Sequence, residues 1–274
     1  MKALLNKFPT ASKFVLAILL FAFALVVSGI TNKGVVKQYF PYVAPIFLFI
    51  ATWFLYKRDK KSLEDIGLNF SLKNISFLPI GILIGAIALF GSKYVRALYT
   101  GEVFEVSSAI NYTTMLYAFY FILPQVATEE FLFRGYLFKK TIKVSSVVMA
   151  NIIFSILFML IHVLDENVLS NKGMMLMLSI TIPVGHLLFA TALLKSKTLF
   201  FPIGLHLGNN WASRHLITNS NSGDSTFYIP NVVMFDTWSP FIITIILFNG
   251  FMLLVTFFIW KWDKIVLLLK QISS

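Results

Sequence analysis

Gln125-Val126-Ala127-Thr128-Glu129-Glu130-Phe131-Leu132-Phe133-Arg134 sets two adjacent carboxylates and an arginine inside a long apolar run. A charge at the centre of a membrane helix costs about 2.5–3.5 kcal/mol on insertion scales. Three such charges so close together are not there to hold a helix in lipid. Glu130 and Arg134 are spaced i, i+4, so they share a helix face and can pair. Glu129 points about 100° away and cannot use the same arginine equally well. The pattern predicts one paired and one unpaired carboxylate. An unpaired carboxylate held away from bulk water is a candidate general base.

The surrounding chain is apolar enough for that setting to be a membrane. Of 274 residues, 58% are hydrophobic and only 13% charged, about half the usual share for a soluble domain. Mean hydropathy is +0.80. The composition predicts an all-α polytopic membrane protein, a single integral membrane domain over 1–274. Eight transmembrane helices are expected at about 13–30, 40–56, 76–98, 108–138, 145–164, 173–194, 198–217 and 238–261. The N-terminal Lys2, Lys7 and Lys13, followed by an apolar run from Phe14 to Ile30, resemble a signal peptide. There is no convincing small-residue cleavage site, so the run is read as the first helix. Residues 57–75 form the longest polar connection, with a short interfacial turn expected around Ser62–Ile66. Residues 218–237 are rich in turn formers.

The net charge of +11 lies between the apolar runs, which fits anionic lipid headgroups rather than nucleic acid. With the N-terminus inside, most Lys and Arg fall on the inner segments: Lys2, Lys7, Lys13, Lys57, Arg58, Lys60, Lys61, Lys73, Lys139, Lys140, Lys143, Lys195, Lys197, Lys261, Lys264 and Lys270. Both termini are therefore expected in the cytoplasm. Cysteine is absent, which excludes disulfides, zinc-thiolate sites and cysteine nucleophiles.

Further polar groups lie within the apolar segments. His162 ends the fifth, one turn after Phe158. His206 and Asn210 share a face of the seventh, and Gly204 and Gly208 share another that lets a neighbouring helix approach closely. Glu129 and His162 are equidistant from Ser145–Ser146. A helical hairpin turning there sets them at one level, roughly 24 Å from its tip at 1.5 Å per residue. His186 and His215 have no partner at a diagnostic spacing and are read as structural. The Phe residues and Met174–Met177 are read as packing or lipid-facing groups.

These parts suit hydrolysis. Glu129 can take a proton from water, His162 can hold and polarise that water, and His206 with Asn210 can donate hydrogen bonds to an oxyanion. No Ser or Thr stands in a nucleophile setting. Glu129, His162 and His206 would also make an open three-ligand zinc site, although His-Glu-x-x-His is absent.

The three motifs together resemble those of the CAAX-processing and bacteriocin-processing (CPBP, or Abi) intramembrane endopeptidases. They are Glu129-Glu130-Phe-Leu-Phe-Arg134, Phe158-Met-Leu-Ile-His162 and His206-Leu-Gly-Asn-Asn210. The resemblance covers about 76–217. It implies an eight-helix fold with the site in a cavity between the fourth, fifth and seventh helices, in the cytoplasmic membrane of a prokaryote. It also implies that Glu129 with His162 activates water, that His206 with Asn210 forms the oxyanion site, and that Glu130 and Arg134 buttress both. Members have been described both as metalloproteases and as glutamate-dependent enzymes. The amide at Asn210, where a metal-binding carboxylate would stand, favours the second. The implied substrate is a peptide or membrane protein, prenylated or not.

Two other classes fit parts of the pattern. One is a non-enzymatic bacteriocin-immunity or scaffold protein that keeps the fold. The other is a proton-coupled transporter, for which the inverted repeats are missing.

Overall fold

The protein, described from a computed structural model over residues 9–272, is mostly helical. Its helices are α1 (Pro9–Thr31), α2 (Gly34–Tyr39), α3 (Val43–Arg58), α4 (Leu72–Ile75), α5 (Phe77–Thr100), α6 (Tyr112–Phe133), α7 (Tyr136–Val144), α8 (Val147–Val163), α9 (Glu166–Leu169), α10 (Lys172–Ser196), α11 (Phe200–Trp211) and α12 (Trp238–Ile272). A 3-10 turn covers Leu63–Ile66, where the interfacial turn was expected, and a π-turn at Ala212–Leu216 extends α11. Lys2 and Lys7, and the side chain of Lys270, lie outside the described residues.

The boundaries have local causes. Asn111, Ser146 and Asn171 each accept a hydrogen bond from a backbone N–H of the first turn that follows, starting α6, α8 and α10. Gly101, with φ of 74°, ends α5 in the left-handed region.

Four helical stretches are long and apolar enough to cross a membrane: Pro9–Thr31, Leu72–Thr100, Lys172–Ser196 and Trp238–Ile265. The other four expected crossings are helical but differ from that pattern. α3, α8 and α11 are shorter than the ~20 residues that span a bilayer. α6 is long enough, but Tyr, Thr, Gln and Glu dilute its apolar content. The expected continuous helix over 108–138 is broken. α6 stops at Phe133, and a new helix starts at Tyr136. Gly135 permits the break, because a Cβ there would collide with the Phe131 carbonyl.

Pro124 interrupts α6 from within. Proline has no N–H for the carbonyl four residues earlier, that of Tyr120. The Tyr42 hydroxyl donates to that carbonyl at 2.9 Å, and the Tyr120 hydroxyl donates to the Tyr39 carbonyl at 2.7 Å. The chain before α3 thus clasps α6 where its own ladder fails.

α5 and α11 form the closest helix pair. Gly81 and Gly85 on α5 meet Gly204 and Gly208 on α11 backbone to backbone. A Cβ on Gly85 would strike the Leu205 carbonyl, and one on Gly208 the Ile82 carbonyl. The seat expected for a neighbour at Gly204 and Gly208 is filled by a second small-residue pair.

Two polar ends bracket the bundle. At one, β1 (Glu105–Val106) pairs antiparallel with β3 (Phe227–Tyr228), which pairs parallel with β2 (Ile217–Thr218). At the other, Asp59 receives Lys13 at 2.6 Å, Lys140 at 2.8 Å and the Tyr136 hydroxyl at 3.0 Å, joining α1, α3 and α7. Burial alone would raise the Asp59 carboxyl, but those three donors outweigh it and hold it down at about 2.

Candidate functional site

Glu129 and Glu130 stand on the last turn of α6 before the break at Arg134. Consecutive residues on a helix diverge by about 100°, and the two carboxylates have different surroundings. Glu130 is fully buried. Its Oε1 accepts from Arg134 Nη1 at 3.0 Å and from His206 Nδ1 at 2.9 Å. Glu129 Oε1 accepts from the Gln125 side-chain amide at 3.0 Å, and its Oε2 lies 3.6 Å from His206 Nε2. His206 is therefore held between the two carboxylates, one on each ring nitrogen.

Aromatic rings pack this polar core. The Arg134 guanidinium lies 4.2 Å from the Phe158 ring centre and 5.1 Å from that of Phe189. His206 stacks on Phe189 with centroids 4.5 Å apart, and Phe158 meets the His162 ring edge-on at 4.7 Å. Phe158 is thus the common wall of the second motif and the other two.

The first and third motifs are in direct contact, and His162 joins them across a cavity. His162 Nδ1 donates to the Phe158 carbonyl at 2.8 Å. A carbonyl only accepts, so this bond places the proton on Nδ1 and leaves the Nε2 lone pair for other partners. A cavity of about 230 Å³ is lined by His162, His206 and Asn210 together with Gln125, Thr181 and Arg214. Among the described residues no hydrogen bond joins Glu129 to His162. The nearest polar groups to Glu129 are Gln125 and His206.

Several buried polar atoms here find no hydrogen-bond partner among the described residues: Oε2 of Glu129, Oε2 of Glu130, and Nε and Nη2 of Arg134. His186, fully buried against Phe138 and Phe158, also leaves both ring nitrogens without one. His215 donates to the Asp224 carbonyl at 2.8 Å, away from this cluster.

A zinc ion drawing on Glu129, His162 and His206 would have to use the two Nε2 atoms, because the Nδ1 atoms of His162 and His206 are already bonded to the Phe158 carbonyl and to Glu130. Among the described residues no group of three or more His, Cys, Asp or Glu side chains is arranged to hold a metal.

Three contributors were not singled out from sequence. Gln125 is one turn before Glu129, an i, i+4 spacing that could have identified it. Phe189 is hidden among 29 phenylalanines. Arg214 reads as one more basic residue near a helix end.

Residues 111–212 match the family model for the type II CAAX prenyl endopeptidase Rce1-like proteins. That segment contains all three motifs. The match, over less than half of the chain, supports the CAAX-processing protease family that the motifs resemble. Together with the four long apolar helices it marks an integral membrane protein. No curated protein and no solved structure matched the chain.

Proposed function

We propose that the chain is an intramembrane endopeptidase that hydrolyses a peptide bond in a membrane-associated protein or peptide of CAAX type, prenylated or not. In this reading residues 1–274 form one membrane domain with its protease core at about 76–217. All eight principal helices lie within the bilayer, the short ones packed among the four long ones, and both termini face the cytoplasm. The observation that carries the reading is the seating of His206 between Glu130 and Glu129, with Asn210 and His162 on the same cavity.

Each residue then has a chemical task. His162 Nε2 accepts a hydrogen bond from a water molecule and holds it beside Glu129. Glu129 removes a proton as the water oxygen bonds to the substrate carbonyl carbon. The carbonyl electron pair moves onto oxygen, which receives hydrogen bonds from His206 Nε2–H and the Asn210 amide. On collapse the C–N bond breaks, and the proton held by Glu129 passes to the leaving nitrogen. The products are a new carboxyl terminus and a free amine.

Donation from Nε2 while Nδ1 donates to Glu130 requires both ring nitrogens of His206 to be protonated. Glu130 and Arg134 act as positioning residues, since they orient His206.

Mass spectrometry of membrane peptides from cells making the wild-type or the Glu129→Gln protein tests the reading. Specific cleavage products should disappear in the variant, with the protein still folded and inserted. Identical peptide sets would remove the catalytic assignment and leave the immunity or scaffold reading. In purified protein the loss is expected to be about 10²- to 10⁴-fold.

A further inference from the structure

Arg214 has no part in the chemistry above, yet it lines the same cavity as His162, His206 and Asn210. It stands in the π-turn after α11, an irregularity that re-aims side chains and recurs at functional sites. It also borders a second cavity of about 380 Å³ beside Thr113, Tyr117 and Phe121 on α6. Its guanidinium is exposed and forms no ion pair among the described residues. It reaches only the Gln125 amide oxygen, at 3.5 Å, the outer limit of a hydrogen bond. This leaves a planar fork of N–H donors available where two cavities meet, the geometry that suits a carboxylate.

Its distance from the oxyanion donors gives the carboxylate an address. Arg214 lies two turns beyond His206 and one beyond Asn210 on one helical run, roughly 12 and 6 Å along the axis. An extended peptide covers about 3.3 Å per residue. A chain whose attacked carbonyl sits between His206 and Asn210 therefore reaches Arg214 after about two to four residues.

We propose that Arg214 binds the free C-terminal carboxylate of the substrate, so that the cleavage point is measured from the chain's end. The inference rests on the endopeptidase reading above and adds a specificity-determining residue to it. A rival role exists for the same side chain: through Gln125, which donates to Glu129, Arg214 could instead orient the base.

An internally quenched, prenylated CAAX-type peptide separates these roles. It is made with either a free C-terminal carboxylate or a carboxamide and given to the full-length protein in proteoliposomes. The wild type should prefer the carboxylate by about 10- to 100-fold in kcat/KM, the range of a charge-assisted hydrogen-bond pair. In R214Q that ratio should fall towards unity, chiefly through KM of the carboxylate form, and R214K should keep part of it. A wild-type ratio near unity would overturn the proposal. So would an R214Q protein that keeps the full ratio while losing kcat on both peptides, the behaviour of a positioning residue. Cleavage of neither peptide beyond the Glu129→Gln level would remove the endopeptidase reading and this inference with it.

Discussion

The Asp59 clasp and the Glu129–Glu130–Arg134–His206 cluster are both built around carboxylates that tie helices together. They differ in how completely their polar atoms are used. Both Asp59 oxygens have donors, Lys13 on one, and Lys140 and Tyr136 on the other. In the inner cluster two carboxylate oxygens and two guanidinium nitrogens are buried without a hydrogen-bond partner among the described residues. Buried polar atoms are normally satisfied, so a saturated network reads as a fastening and an unsaturated one as a place prepared for something else to bind.

Arg134→Met should expose that difference most sharply. It leaves the buried Glu130 with His206 as its remaining donor, at a cost of about 3–5 kcal/mol. The double change Glu130→Leu with Arg134→Met should be less destabilising than the single one, because no uncompensated charge remains. Unfolding in detergent measures both, and a double change as costly as the single would show that the pair is not an isolated buried charge problem.

Gly208→Ala acts next, at a distance from the charges. The added methyl meets the Ile82 carbonyl and forces α5 and α11 apart. Stability should fall by about 1–3 kcal/mol. Displacing His206 and Asn210 by about 1 Å should lower peptide cleavage by about 10²-fold. A variant with normal cleavage would show that the glycine contact does not set the site.

Tyr42→Phe removes the donor that serves the Tyr120 carbonyl. About 1 kcal/mol of stability should be lost, with cleavage kept because the carbonyl is more than a turn from Glu129.

Asp59→Asn should have the smallest effect on cleavage, none, while costing about 2 kcal/mol of stability. The folded carboxyl lies below its ordinary value, so its contribution is present above pH 3.8 and is lost as pH falls through about 2. Thermal unfolding of wild type and Asp59→Asn between pH 5 and pH 2 should therefore converge at the acid end. Divergence there would mean that the clasp is held by something other than the ionised carboxylate.

Much of the architecture was legible before any coordinates. Apolar length located helices at all eight expected segments, and the i, i+4 rule paired Glu130 with Arg134. The same rule put His206 and Asn210 on one face and Gly204 with Gly208 on another. What it could not give was the other side of each contact. Periodicity describes the face a helix offers and is silent on what occupies it. Gly81 and Gly85 were present in the sequence, but nothing local marks them as the partners of Gly204 and Gly208. The break at Arg134 does carry a local mark, since Arg134-Gly135 interrupts the apolar run and glycine is a common helix stop, but apolar length alone carries the expected helix through it.

The opening stretch shows where the division lies. The sequence by itself determined that Glu129, Glu130 and Arg134 are too costly to be incidental, since the energy of a charge in an apolar run depends on composition alone. It also determined that one carboxylate would have the arginine, because helix geometry fixes spacing. Tertiary structure decided the rest. It brought His206, from a distant helix, between the two carboxylates, gave Glu129 a hydrogen bond from Gln125, and set Arg214 on the cavity that His162, His206 and Asn210 line. The physical reason is that a short-range rule operates within one helix, whereas the partner of a buried charge is chosen by how separate helices pack.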